Sequence, residues 1–313
     1  MAQKKLFKRP EVRYLKNALL INKEILVIGD LHLGYEDKIV SAAILPNVQL
    51  REMFSEFDEI FKRLNREKVE VKEIVLLGDL KHDFASISDS EWRDVTRLID
   101  YLVKRCEKLV VIKGNHDMKL NPILRKKGIE MKDYYMVRIS DSTTLPNISN
   151  IKNKREAKSE QELGLSDTKK KSGDGGRNIW FLHGHGVFKQ VFGQGLTVRQ
   201  TNRQTDRQDI LIIGHLHPSI SLSDSYKKER YKCFLKGNWN GFVVYILPSF
   251  SSVGFGYDIR NLGLEKLSRS GKKIRKHDFF IIPDKDLMKF NVVVYDECGK
   301  KGLGFGKVKK LVG

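Results

Sequence analysis

EILVIGD, residues 24–30, is a short apolar run that stops abruptly at Gly-Asp. A run of that length closed by a glycine reads as a buried strand entering a loop. EIVLLGD at 73–79 repeats the pattern. KLVVIKG at 108–114 gives a third strand, followed at once by Asn115, His116 and Asp117. Between the first two runs, Val48, Leu50, Met53, Phe54, Phe57, Ile60, Phe61 and Leu64 fall at helical spacing within 48–66. Ser88 and Glu91 stand at capping-box spacing ahead of a helix over 89–105. Strands alternating with helices predict an α/β fold. In such folds ligands gather at loops beyond the carboxyl ends of strands, and three strand ends here carry Asp, His or Asn.

Further along, NIWFLHGHG (178–186) and DILIIGHLHP (209–218) are again apolar runs ending in polar clusters, and YKCFLKGNWNGFVVYILPSF from 231 predicts a two-stranded hairpin. Residues 141–178 differ: polar, nearly without aromatics, eight basic against six acidic. They read as a flexible insertion. VRQTNRQTDRQD (198–209) is rich in Arg and Gln and reads as a solvated helix or loop. The tail, 261–313, holds 13 Lys or Arg against six acids and reads as a basic extension of one catalytic domain spanning 1–313. His277, in KKIRKHDFF, lies away from every cluster and reads as structural.

The 313 residues are 40% hydrophobic and 9% aromatic, which excludes global disorder. No apolar run approaches the roughly 20 residues that span a bilayer. MAQKKLFKRPEVRYLK is basic but lacks the apolar core of a secretory signal. Cys106, Cys233 and Cys298 are odd in number and far apart, which fits reduced thiols in a cytoplasmic protein. The net charge of +19 favours a polyanionic partner, nucleic acid above all, and no membrane.

Six of the eight histidines lie in short polar clusters: Asp30-Leu31-His32, Gly114-Asn115-His116-Asp117, His183-Gly184-His185 and Gly214-His215-Leu216-His217, with Gly78-Asp79 as a fifth cluster. This set offers carboxylate, amide oxygen and imidazole but no thiolate, which favours a divalent ion such as Mn, Fe or Zn. Seven donors shared between two ions through one bridging carboxylate give each ion four protein ligands and leave positions open for water and substrate. Two ions about 3.5–4 Å apart can clamp a phosphoryl group. The glycines before Asp79, Asn115 and His215 are expected to allow sharp turns.

In this order, DLH, GD, GNHD, HGH and GHLH resemble the signature of the calcineurin-like metallophosphoesterases. Within that superfamily, GDLKHDF (78–84), GHLHP and LPSF (247–250) are most similar to the archaeal-type ICC-like phosphoesterases, related to SbcD and to DNA-ligase-associated phosphoesterases. The resemblance implies a four-layer α/β/β/α sandwich of two mixed sheets flanked by helices. It implies two divalent ions, manganese foremost, with iron, zinc or nickel as alternatives. Asp30, His32, Asp79 and His217 would hold the first ion. Asp79 would bridge to the second, completed by Asn115, His183 and His215. His116 would act on the leaving oxygen, Asp117 would orient it, and a metal-bridging hydroxide would be the nucleophile. His185, Lys81, His82 and Asp83 are candidates for substrate or supporting contacts.

Protein-phosphatase branches carry an arginine after the bridging aspartate that grips a phosphomonoester dianion. Here that run offers only Lys81, which could partly substitute, so the odds move toward diesters. The expected activity is phosphodiester hydrolysis on nucleic acid, in DNA repair or processing. A small-molecule phosphodiesterase, for cyclic nucleotides or nucleotide derivatives, and a non-catalytic nucleic-acid-binding module are the alternatives. A homodimer or a repair-protein partner would be in keeping with the resemblance.

Overall fold

A computed structural model describes residues 10–36, 48–84, 86–139, 177–186, 208–223, 226–254, 256–263, 266–267, 273–274 and 280–312. Residues 141–176 of the expected insertion therefore lie outside the described residues, as do His277 and most of 198–209. The last two residues of the insertion, Arg177 and Asn178, begin a strand.

The first sheet has the order β1-β2-β3-β4-β5-β6. Strands β1 (Val12–Leu15), β2 (Ala18–Ile21) and β3 (Ile25–Ile28) are antiparallel neighbours. From β3 through β4 (Glu73–Leu76) and β5 (Lys108–Ile112) to β6 (Met131–Lys132) the pairing is parallel. The expected helices form the connections. Helix α1 (Val48–Arg66) turns Leu50, Met53, Phe57, Ile60 and Leu64 inward. Helix α2 (Asp89–Val103) starts at a complete capping box, with the Ser88 and Glu91 side chains each accepting from the other's backbone N–H. A short helix α3 (Asn121–Lys126) follows β5.

The second sheet runs β13-β10-β11-β12-β9-β8-β7. Strand β7 (Tyr135–Ile139) is antiparallel to β8 (Arg177–Leu182), which lies parallel to β9 (Ile210–Ile213). Strand β10 (Pro218–Ser223) pairs with one end of the long β11 (Lys228–Trp239), and β12 (Phe242–Ile246) with the other, alongside β9. Asn240 and Gly241 join β11 to β12 with both φ angles positive, the two-residue hairpin turn that fits strand twist. Strand β13 (Tyr257–Asp258) closes one edge, and β14 (Lys266–Leu267) pairs with β15 (Lys273–Ile274). The basic tail contributes two strands to this sheet. β16 (Asn291–Asp296) pairs with the middle of β11, and β17 (Lys301–Lys307) pairs with β16.

The layers follow from the strand periodicity. Alternate residues of the first sheet, Leu26, Ile28, Ile74 and Leu76, pack under α1 and α2. The opposite set, Val27, Val75, Val110 and Ile112, packs against Ile179, Phe181, Ile210 and Ile212 of the second sheet. The outer face of the second sheet, with Leu211, Ile213, Leu235 and Val244, is covered by Leu287 of α4 (Asp284–Leu287), Phe290 and Val308. Among the described residues that fourth layer is thin, one four-residue helix and two 3₁₀ turns. No helix there is long and apolar enough to cross a membrane. The carboxyl ends of the parallel strands of both sheets meet along one edge.

Candidate metal centre

Five loops leave that edge, and each carries one sequence cluster. Asp30 and His32 follow β3, Asp79 follows β4, Asn115 to Asp117 follow β5, His183 and His185 follow β8, and His215 and His217 follow β9. The side chains converge as two groups. In one, His217 Nε2 lies 3.2 Å from Asp30 Oδ1 and 3.3 Å from His32 Nε2. In the other, His183 Nε2 lies 3.2 Å from Asp79 Oδ2, 2.9 Å from Asn115 Oδ1 and 3.0 Å from His215 Nδ1. Asp79 Oδ2 also stands 3.8 Å from His32 Nε2, so one carboxylate faces both groups. Each group brings three ligand atoms within 4.8 Å of one another.

The backbone is bent to achieve this. His32, Asp79, His215 and His217 all have φ between 46° and 64°. That left-handed region is costly for residues with a Cβ, and such strain concentrates where a fixed side-chain direction is needed. The preceding glycines serve different ends. Gly78 does turn, with φ at 99°. Gly114 and Gly214 do not have positive φ, contrary to the expectation of sharp turns. They are small because a Cβ at Gly114 would strike Asp79, and one at Gly214 would strike Asp30 Oδ2.

Charges are arranged to match. His183 is wholly buried, which alone would depress its pKa, but Asp79 and Asp30 overcome that and raise it to about 9. Its Nδ1 donates to the carbonyl of Leu77 at 2.8 Å, fixing the ring so that Nε2 faces the centre. Burial also opposes ionisation of Asp30 and Asp79, yet the imidazoles against them hold both below the usual carboxylate range. Burial and neighbouring positive charge press His32 and His215 down to about 3, and His185 to about 4. Asp30 Oδ1 is buried with no hydrogen-bond donor. Lone-pair atoms crowding to about 3 Å with too few protons between them form a donor set that suits divalent cations.

His116 is buried, with Nε2 3.8 Å from Asp79 Oδ2. Its Nδ1 meets the carbonyl of His82. Asp117 does not orient the imidazole as expected. Its carboxylate accepts from the backbone N–H of Leu80 and of Gly114, each at 2.9 Å, and so ties the β4 loop to the β5 loop. Complete burial and the charge on Asp79 push its pKa up to about 7. Lys81, a candidate for a substrate or supporting contact, is fully buried, and its ammonium donates to the carbonyls of Asp83 and Ser86. His82 comes within 5.5 Å of His32, ring centroid to centroid. Asp83 donates its N–H to Glu91 Oε1. His185 sits 4.9 Å from the His183 ring, with a buried Nδ1 that has no partner.

Sequence reasoning missed the supports of the Asp30 loop. Gln49, buried on α1, donates to the carbonyl of His32 at 2.8 Å and to Ser251 Oγ at 2.7 Å. Ser249 Oγ and the N–H of Phe250 both donate to the carbonyl of Asp30. Lys232 donates to the carbonyls of Ser249 and Ser251. The one signal was a glutamine beside the apolar stripe of α1.

No curated protein matches the chain. Among solved structures it is similar to the nuclease MPE of Pseudomonas putida, at 14% identity and a TM-score of 0.45, over 91% of this chain and 96% of that one. The family model described as calcineurin-like phosphoesterase matches residues 23–245, a span that contains every loop of the centre. With that match over more than half its length, the chain belongs to the calcineurin-like phosphoesterase family and is a metal-dependent phosphoesterase.

Proposed function

We propose that this chain hydrolyses phosphodiester bonds of nucleic acid. In this reading Asp30, His32, Asp79 and His217 hold one divalent ion, and Asp79, Asn115, His183 and His215 hold a second. The observation that carries the reading is the placement of Asp79 Oδ2, 3.2 Å from His183 Nε2 and 3.8 Å from His32 Nε2, between the two donor groups. Manganese is the ion we assign first, since the donors are oxygen and imidazole nitrogen without thiolate. A pair of such ions supplies Lewis-acid polarisation of the phosphoryl oxygens and a water of lowered pKa.

The chain's own residues do the rest. The carbonyl of His82 keeps the proton of His116 on Nδ1, so Nε2 is the atom directed at the centre. Burial lowers the pKa of His116, so once protonated at Nε2 it gives that proton readily to a leaving oxygen. Asp117 keeps the two loops in register through its backbone contacts. The inward turn of Lys81 removes a cation that could have gripped a dianion, which supports a diester carrying one charge per phosphate. The net charge of +19 supports a polyanion.

The test is a panel on manganese-loaded protein: bis-p-nitrophenyl phosphate, p-nitrophenyl phosphate, a 2′,3′-cyclic nucleotide, and labelled single- and double-stranded DNA, with His116→Ala as the contamination control for DNA cleavage. Cleavage of DNA that His116→Ala abolishes, with binding that weakens steeply as salt rises, is the expected result. Turnover of small diesters with DNA left whole would overturn the nucleic-acid substrate.

A further inference from the structure

The turn at 81–84 is held by a fully buried lysine, Lys81, which donates to the carbonyls of Asp83 and Ser86, and the N–H of Asp83 is fixed by Glu91 Oε1 at 3.1 Å. Burying an ammonium to hold a turn is costly. What that turn presents is Phe84, 57% exposed, with its ring centroid 3.5 Å from that of His116 and the planes 30° apart. His82 stacks on His116 at 5.7 Å, and Tyr35 lies 4.4 Å from His82. The proton-carrying histidine is therefore one member of a row of rings that ends at the surface in a phenyl group. Met118, two residues beyond His116, is 70% exposed, and Lys119 beside it is exposed as well. A phenyl needed only to cover His116 would be turned inward like the other core rings.

We propose that Phe84 is a substrate-contacting residue: its exposed face receives the nucleobase of the nucleotide whose phosphodiester lies at His116. The inference rests on the phosphodiesterase reading above and names what is recognised beside the scissile bond. A base inside a duplex has both faces taken by its neighbours, so the subsite selects strand ends and unpaired nucleotides. Stacking on one aromatic ring is sequence-tolerant, since every base has a π face.

The test compares two substrates with one leaving group, the p-nitrophenyl ester of thymidine 5′-phosphate and methyl p-nitrophenyl phosphate, on manganese-loaded protein. Phe84→Leu keeps an apolar cover on His116, and Phe84→Trp keeps a π face. Phe84→Leu is expected to lose roughly tenfold in kcat/KM on the thymidine ester, chiefly through KM, and under about twofold on the methyl ester. Phe84→Trp is expected to restore the preference. In metal-free protein, quenching of a single strand containing 2-aminopurine is expected to be lost in Phe84→Leu and kept in Phe84→Trp. A parallel fall on both esters in Phe84→Leu would show that the ring merely seats His116 and would overturn the subsite. So would a wild type that does not prefer the thymidine ester. Wild type that cuts DNA while Phe84→Leu cuts it equally well, with an unchanged ester ratio, removes the subsite alone. Wild type that leaves DNA whole but keeps a Phe84-dependent preference for the thymidine ester removes the nucleic-acid substrate alone.

Discussion

The two donor groups differ in how deeply their imidazoles lie. In the outer, Asp30 group, Asp30 is wholly buried, and the side chains of His32 and His217 are 12% and 20% exposed. In the second, inner group, His183 and Asp79 are 1% and 2% exposed, while Asn115 and His215 are half-buried. The inner group is fixed by the strand ends of both sheets and by the Leu77 carbonyl behind His183. The outer group hangs on loops that Gln49, Ser249 and Ser251 must fasten from behind. A buried imidazole in one group and only half-buried imidazoles in the other imply unequal exchange: the side of His32 and His217 is where a chelator acts first.

The largest test of that division is Asp79→Asn, which weakens both positions at once. Loss of both ions by elemental analysis is expected, with activity down by roughly a thousandfold or more, since each ion contributes several kcal/mol of charge stabilisation. His183→Ala and His217→Ala then separate the halves. The first is expected to leave one ion per chain and no turnover. The second is expected to leave the inner ion in place and to speed loss of the outer one to a chelator. Equal release of both ions in His217→Ala would dissolve the distinction.

His116→Ala is expected to keep both ions, and to slow poor leaving groups by about 10²–10⁴-fold while sparing p-nitrophenolate. Wild-type rates on both classes would remove His116 from proton transfer.

The smallest effect concerns the fastening of the outer loops. Burial depresses the pKa of Lys232 from 10.5 to about 8, although Glu56 pulls the other way. Between those values the unfolded chain binds the proton and the folded chain does not, so this group's contribution to stability rises as pH climbs from about 8 to about 10.5. Lys232→Met should flatten that rise in denaturant melts taken across the window. An unchanged slope would place the effect elsewhere.

Much of this was legible in residue order. The strand runs ending at Asp30, Asp79 and Asn115, both long helices and the capping box at Ser88 follow from periodicity and local hydrogen bonding, which act over a few residues. The convergence of the histidine clusters was legible because each ends an apolar strand. Other features depend on long-range contacts and carry no local signature. VRYL and ALLI, strands β1 and β2, are too short to stand out. β17 alternates glycine with exposed Lys, Leu and Phe, and becomes a strand through its pairing with β16, where a Cβ at Gly302 would strike Tyr14 and Val293. The inward turn of Lys81 and the hold of Asp117 on two backbone amides follow from the packing of one loop on another. A motif gives a residue's type there but not its direction.

The left-handed backbone at His32, Asp79, His215 and His217 has a consequence for how ions arrive. Each such residue costs about 1–3 kcal/mol, offset by the packing of the loops around it, Gly114 against Asp79 and Gly214 against Asp30. The cavity is cast in advance, like a die, and an incoming ion has little left to organise. Titration calorimetry of ion uptake should accordingly show a heat-capacity change near zero, because no apolar surface is gathered in on binding. A large negative value would mean that the loops are moulded by the ion after all.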